Sequence, residues 1–282
     1  MTTYDTNMFG HVDEQLLASA STVQDRPAPP SALSASLTIG WRALLRFKHV
    51  PSSLIEIAML PILMTLMFTF IFGGALAGST TEYVQRLIPG IMVFTVTMMS
   101  QSTAIGLNTD ISKGIFDRFR SLPFWRPAVL VGALMGDMVR YLMATLIVVV
   151  LGLILGFRPE TGLSGVLLST GLLLFFVFSF SWIWTALGLW VDDTETLAMV
   201  SGWTTFPLTF LSNVFVDPVT MPEFLQAFVS INPISLIATA MRALMQGSVA
   251  PTQIAYALLS CLILILLFAP LSMYLYNNKN TV

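Results

Sequence analysis

Six long apolar runs dominate the chain, at about 53–73, 87–107, 128–156, 164–190, 197–214 and 252–275. Each approaches or exceeds the roughly 20 helical residues that cross a hydrocarbon core, the third being long enough to tilt or to project into the cytoplasm, so the pattern predicts six transmembrane helices. Prolines punctuate four of them: Pro61 inside the first, Pro89 at the opening of the second, Pro207 in the fifth and Pro270 near the end of the sixth. A proline in a spanning helix frees a carbonyl that a neighbour must satisfy, so kinks are expected, and the fifth run is expected to break at Pro207.

The stretches between the runs carry their own periodicity. In 31–49, Leu33, Leu37, Trp41, Leu44 and Leu45 recur at helical spacing beside a polar stripe with Arg42, Arg46 and His49. This predicts an amphipathic helix lying flat in the headgroup layer. Asn108–Pro127 packs Lys113, Arg118, Arg120 and Arg126 into one short interval, with Ile115, Phe116, Phe119 and Leu122 along an apolar face. A helix there, at 110–123, cannot cross lipid and is too apolar for a plain linker; it suits contact with a soluble partner. Between the last two runs, prolines cut a moderately apolar stretch into two short helices, 221–230 and 234–246, which read as re-entrant pieces buried against protein. The turn at 191–196 is acidic.

Composition narrows the class. Over 282 residues, 55% are hydrophobic and 10% charged, with a mean hydropathy of +0.80. A soluble domain carries about a quarter charged residues, so most of this surface faces lipid. Lys and Arg set the orientation. With both termini inside, the cytoplasm receives Arg26, Arg42, Arg46, Lys48, Lys113, Arg118, Arg120, Arg126 and Lys279, and the outer side only Arg86, Arg158 and Arg242. Residues 1–30 read as a disordered cytoplasmic tail and 31–282 as the membrane domain. The lone cysteine, Cys261, allows no disulfide within the chain.

The inventory argues against an enzyme. The two histidines, His11 and His49, both precede the first span, so no Ser/His or Cys/His pair lies within the membrane. No His/Cys cluster has zinc spacing, no G-x-x-x-x-G-K-[ST] phosphate loop is present, and no basic face suits nucleic acid. Asp137 and Arg140, three apart in the third span, share a face and can pair locally, as a structural ion pair or with a part in gating. Phe94, Met98 and Gln101 in the second span, with Trp203, Phe206 and Phe210 in the fifth, could line a path for a flat amphipathic molecule or simply pack.

NTDISKGIFDRFRSLPFWRPAVLVGALMGDMVRY (108–141) resembles the signature of ABC-2-type permeases, and within them the daunorubicin/doxorubicin resistance permease subunits of actinomycete exporters. SWIWTALGL at 181–189, FPLTFLSNVFVDPVTMPEFLQAFVSINPIS at 206–235 and ALSASLTIGWRALLRFKHVP at 32–51 resemble the same subunits in the same order. The resemblance implies an all-α, six-span ABC-2 (type V exporter) fold. It also implies two permease chains, as a homodimer, with two copies of a separate ATPase subunit that binds ATP and Mg2+; this chain itself carries no cofactor. It places the coupling helix on the 110–123 segment, with Phe116 and Phe119 in a groove of the ATPase and Lys113, Asp117, Arg118 and Arg120 beside them. The expected protein is therefore a multi-pass cell-membrane permease exporting an anthracycline-like or other hydrophobic compound and conferring drug resistance. Export of a lipid or glycolipid is the alternative within transport, and an uncoupled channel or scaffold the alternative outside it.

Overall fold

The computed structural model describes residues 51–73, 79–113, 128–248 and 251–278. The expected tail, the interfacial helix at 31–49 and residues 114–127 of the basic insert lie outside the described residues. Within them the chain is all-helical, without a strand. The helices are α1 (Pro51–Met67, running on into a π-helical turn at Phe68–Phe72), α2 (Thr80–Ser112), α3 (Ala128–Ile154), α4 (Gly162–Trp190), α5 (Thr194–Phe210), α6 (Glu223–Ile231), α7 (Pro233–Gln246) and α8 (Pro251–Asn278). Four of them, α2, α3, α4 and α8, contain a stretch long and apolar enough to cross a membrane. α1 and α5 are shorter, and α6 and α7 meet at 78°.

α2 and α4 form the centre. α3, α5, α7 and the shorter α1 pack on α2, while α8 and α7 pack on α4. The main core fills between them with Val84, Leu87, Ile88, Ile91 and Met92 from α2 and Leu173, Phe176, Phe180 and Trp184 from α4. A second cluster closes one end, where Leu107, Leu130, Leu134, Leu189 and Tyr276 meet. Cys261 of α8 is buried in the main core.

Several boundaries differ from expectation, each for a local reason. α2 starts at Thr80, well before the expected 87, because Ser79 caps it: its Oγ accepts from the Glu82 N–H at 3.2 Å, with Glu82 at the third helical position, the spacing of a capping box. Pro89 thus lies inside α2 rather than at its opening. The Gln85 carbonyl that it frees accepts from Gln246 Nε2 of α7 at 3.3 Å, so the helix passes the proline with its backbone satisfied. At the other end α2 runs on to Ser112, so residues 110–112 are its last turn and not the start of a separate helix. α5 does not break at Pro207; it continues to Phe210 and closes with the Leu211 N–H on the Pro207 carbonyl at 2.8 Å.

α7 is anchored at both ends. Asn232 caps its start, accepting from the Ile234 N–H at 2.9 Å. Its last carbonyls, Leu244 and Met245, accept from the Thr161 hydroxyl at 2.8 and 3.2 Å, and Gly247 turns the chain away with a left-handed φ of 72°.

Candidate functional site

The three arginines assigned to the outer side come together at one end of the bundle, and Lys113 stands exposed at the other. Arg86 pairs with Asp217, and its hydrogen bond holds the Asp217 carboxyl below its usual range. Arg242 reaches from α7 to the carbonyls of Arg86 (3.2 Å), Asn213 and Val214 (both 2.9 Å). The Arg158 N–H donates to Gln85 Oε1 at 2.9 Å. These bonds pin the 211–217 connection and the α3–α4 turn against the start of α2. Gly90 makes this possible: a Cβ there would lie 2.5 Å from the Val214 carbonyl oxygen.

At the opposite end α2 finishes beside the α4–α5 turn. Asn108 is 2% exposed, and its Nδ2 faces the carbonyls of Gly188 (3.3 Å), Val191 (2.7 Å) and Asp192 (3.4 Å). Its Oδ1 accepts from the Thr194 hydroxyl at 2.7 Å. Helix C-termini leave carbonyls without intrahelical partners, and here one amide faces the Gly188 carbonyl of α4 and two carbonyls of the turn that follows it. Just beyond, Asp193 caps α5 by accepting from the Thr196 N–H at 2.7 Å, and hydrogen bonding from the Thr196 side chain, with this backbone bond second, lowers the Asp193 pKa. Backbones approach closely one turn earlier: a Cβ on Gly188 would lie 2.8 Å from the Ala104 carbonyl oxygen.

Of the expected partner-docking residues, only Lys113 is described. It stops α2, its N–H bonding the Thr109 carbonyl at 3.1 Å. Phe116, Asp117, Arg118, Phe119 and Arg120 lie outside the described residues.

Inside the bundle, Asp137 and Arg140 of α3 lie 3.3 Å apart, each about a fifth exposed. The pair reaches across to α2: the Thr103 hydroxyl donates to Asp137 at 2.6 Å, and Arg140 donates to Ser102. Tyr141, fully buried, completes the group with its hydroxyl 3.0 Å from that of Thr103. Trp184 of α4 donates to Ser100 at 2.8 Å one turn along. Thr103 and Tyr141 have no mark in the sequence, since a hydroxyl in a spanning helix usually bonds its own backbone; only the opposing carboxylate of Asp137 marks Thr103.

The six residues expected along a substrate path divide. Phe94 (α2) meets Phe210 (α5) edge-on at 6.1 Å, and Phe206 stacks on Phe210 at 4.2 Å. Met98 and Gln101 form a separate pair on α2, Sδ to Nε2 at 3.7 Å. Trp203 joins neither: it is 81% exposed. The aromatic group extends instead to residues missed in sequence, through Phe215 (5.4 Å from Phe210) to Phe68 (4.1 Å) and Phe72 (5.2 Å from Phe68). Phe68 and Phe72 share a helix face, but Phe215 lies in a connection with no periodicity to reveal it. The result is an aromatic ribbon across α5, α2 and α1, ending in an open face on α5. Among the described residues, no three His, Cys, Asp or Glu side chains converge as a metal site would require.

Comparison with known proteins matches residues 35–246 to the ABC-2 type transporter family model. The chain is 48% identical over 264 residues to the daunorubicin resistance ABC transporter permease protein DrrB1 of Streptomyces coeruleorubidus, covering 94% of this chain and 93% of that one. It is 25% identical over 207 residues to the probable doxorubicin resistance ABC transporter permease protein DrrC of Mycobacterium tuberculosis, covering 73% and 75%.

Proposed function

Because the chain belongs to the ABC-2 type transporter family, we propose that it is the membrane permease of an ATP-driven exporter that moves an amphipathic, anthracycline-like compound out of the cell. The observation that carries the reading is the 48% identity, over nearly the full length of both chains, to a permease named for daunorubicin resistance. The chain supplies the membrane path and no phosphate loop, so energy has to enter through a partner ATPase that binds ATP and Mg2+.

In this reading six spans cross the membrane as α1 to α5 and α8, with α6 and α7 re-entrant from the outside and both termini cytoplasmic. The Lys113 end then faces the cytoplasm, where 113–122 docks in the ATPase. The open α5 face, with Trp203 and Phe206 exposed in a single chain, fits a second permease copy, the compound passing between the two. Aromatic and Met side chains suit a planar, mostly apolar molecule and adapt to more than one. Closure of the ATPases on ATP would move the docked segment and, through α2 and α3, change access to the path. ATP can shift that equilibrium only by binding the two states with different affinity.

The test is a double substitution, Phe116→Ala with Phe119→Ala. The variant is expected to insert normally while losing copurification of the ATPase and drug-stimulated hydrolysis. Normal copurification with normal export refutes the docking assignment. Lipid export is the competing substrate class, and faster ATP-driven movement of a labelled phospholipid than of daunorubicin by the same vesicles would favour it.

A further inference from the structure

α5 touches the centre of the bundle through a smooth stripe. Its buried residues are Leu197, Ser201, Thr205 and Thr209, one per turn. The three hydroxyls are spent inside α5 itself, on the carbonyls of Ala198 (3.1 Å), Ser201 (2.8 Å) and Thr205 (2.7 Å). Among the described residues, the body of this stripe makes no side-chain hydrogen bond to α2. Small side chains without directional bonds let two helices shear past one another at little cost.

The ends of α5 are hydrogen-bonded to neighbouring helices, each through one asparagine. At its finish, Asn232 donates to the carbonyls of Leu208 (2.8 Å) and Leu211 (3.1 Å), tying α5 to α7. At its start, Asn108 ties α5 to α2, through Thr194 and the carbonyls of the α4 end and the turn that follows it. The amide orientation is dictated by its surroundings: turned over, it would set its oxygen against three carbonyls. Asn108 lies a little over one turn, about 7.5 Å along the axis, before Lys113.

We propose that Asn108 is the positioning residue that makes α5 follow the end of α2. It rests on the reading that the segment after Lys113 docks the ATPase. When that segment is displaced, α2 moves with it. The hydroxyl stripe alone would let α2 slip past α5. The Asn108 amide forbids the slip, so the α4–α5 turn, the start of α5 and the aromatic face carrying Phe206 and Phe210 are drawn along.

Asn108→Leu is close in size and removes every one of these bonds; Thr194→Val removes one of them. Both are tested in the reconstituted complex with its ATPase, with daunorubicin as the transported probe. For Asn108→Leu, copurified ATPase and basal hydrolysis are expected within about twofold of wild type, while daunorubicin exported per ATP hydrolysed falls by about tenfold or more; Thr194→Val is expected about threefold down. A second measurement reads the mechanism itself. Spin labels on exposed Ser112 and Glu195, in a Cys261→Ser background, are expected to keep their separation on ATP binding in wild type and to change it in Asn108→Leu. An unchanged export-to-ATP ratio, or a separation that already changes in wild type, overturns the proposal. If Asn108→Leu fails to accumulate, Thr194→Val decides by the same two readouts. A wild-type chain that binds no ATPase sinks the transport reading itself, a result separate from variants that behave as wild type.

Discussion

Gly188 and Gly171 both lie on α4, and alanine at each should change stability in opposite directions. A Cβ on Gly171 meets nothing within 4 Å, whereas one on Gly188 meets the Ala104 carbonyl oxygen at 2.8 Å and the Ala104 Cα at 3.2 Å. At Gly171 the change removes only backbone freedom, which should stabilise the protein by about 0.5–1 kcal/mol. At Gly188 the same gain is set against forcing two helix backbones apart by roughly half an ångström, an overpacking that costs about 1–3 kcal/mol. The obstacle is backbone and not the tip of a flexible side chain, so little relief comes from rotamer changes. The net expectation is a loss of about 1 kcal/mol at Gly188. Because Asn108 bonds the Gly188 carbonyl one turn from Ala104, the separation also stretches the α2–α4 junction. Unfolding in mixed micelles by added denaturing detergent reads both variants against wild type, and thermal melting should show shifts of about 2–4 °C per kcal/mol for a chain of this size. Gly188→Ala as stable as Gly171→Ala would refute the close approach of α2 and α4 on which the geometry of the junction depends.

Three further outcomes follow from the polar groups. Thr103→Val keeps the side-chain shape and deletes the bond to Asp137, which should cost about 1 kcal/mol in a membrane interior, measured by the same unfolding. Arg140→Leu strands the Asp137 carboxylate and should cost more, about 3–5 kcal/mol, with Asp137→Asn in the same chain restoring part of it; equal stability of the single and double variants would argue against the pair. Asp217 has its pKa depressed, chiefly by the hydrogen bond from Arg86. A depressed folded-state value contributes stability that is complete above the ordinary carboxylate pKa of 3.8 and is lost as pH falls through the folded-state value. Wild type should therefore lose stability on acidification below about pH 4, and Asp217→Asn should flatten that dependence; identical melting profiles from pH 3 to 6 would rule the contribution out.

Much of the architecture can be read from hydropathy because lipid imposes a simple rule: an apolar run of sufficient length forms a helix or is not stable there. α4 and α8 lie within a few residues of the runs that announce them. Ends are harder. Ser79-Thr80-Thr81-Glu82 has the spacing of a capping box in plain view, yet it sits outside the apolar run, and Pro89 looked like the better start. What rescues Pro89 is Gln246, far along the chain, and nothing local to the proline reveals it. Asp137 and Arg140 meet because their spacing on one helix brings them together. The residues that join helices behave otherwise. Asn108 was visible only as the first residue of a basic insert, since its bonds depend on where the end of α4 falls. Phe94, Phe206 and Phe210 come together, but Trp203 does not, because spacing along α5 fixes a face without saying what the face meets.

The central claim is ATP-driven export, and one measurement addresses it directly. The permease and its ATPase are reconstituted into sealed vesicles preloaded with daunorubicin in the compartment facing the ATP sites, and the fluorescence of the compound is followed across the membrane. The account predicts accumulation against a gradient that requires ATP, Mg2+ and both subunits. Daunorubicin that equilibrates through the permease alone, with no dependence on ATP, would contradict it.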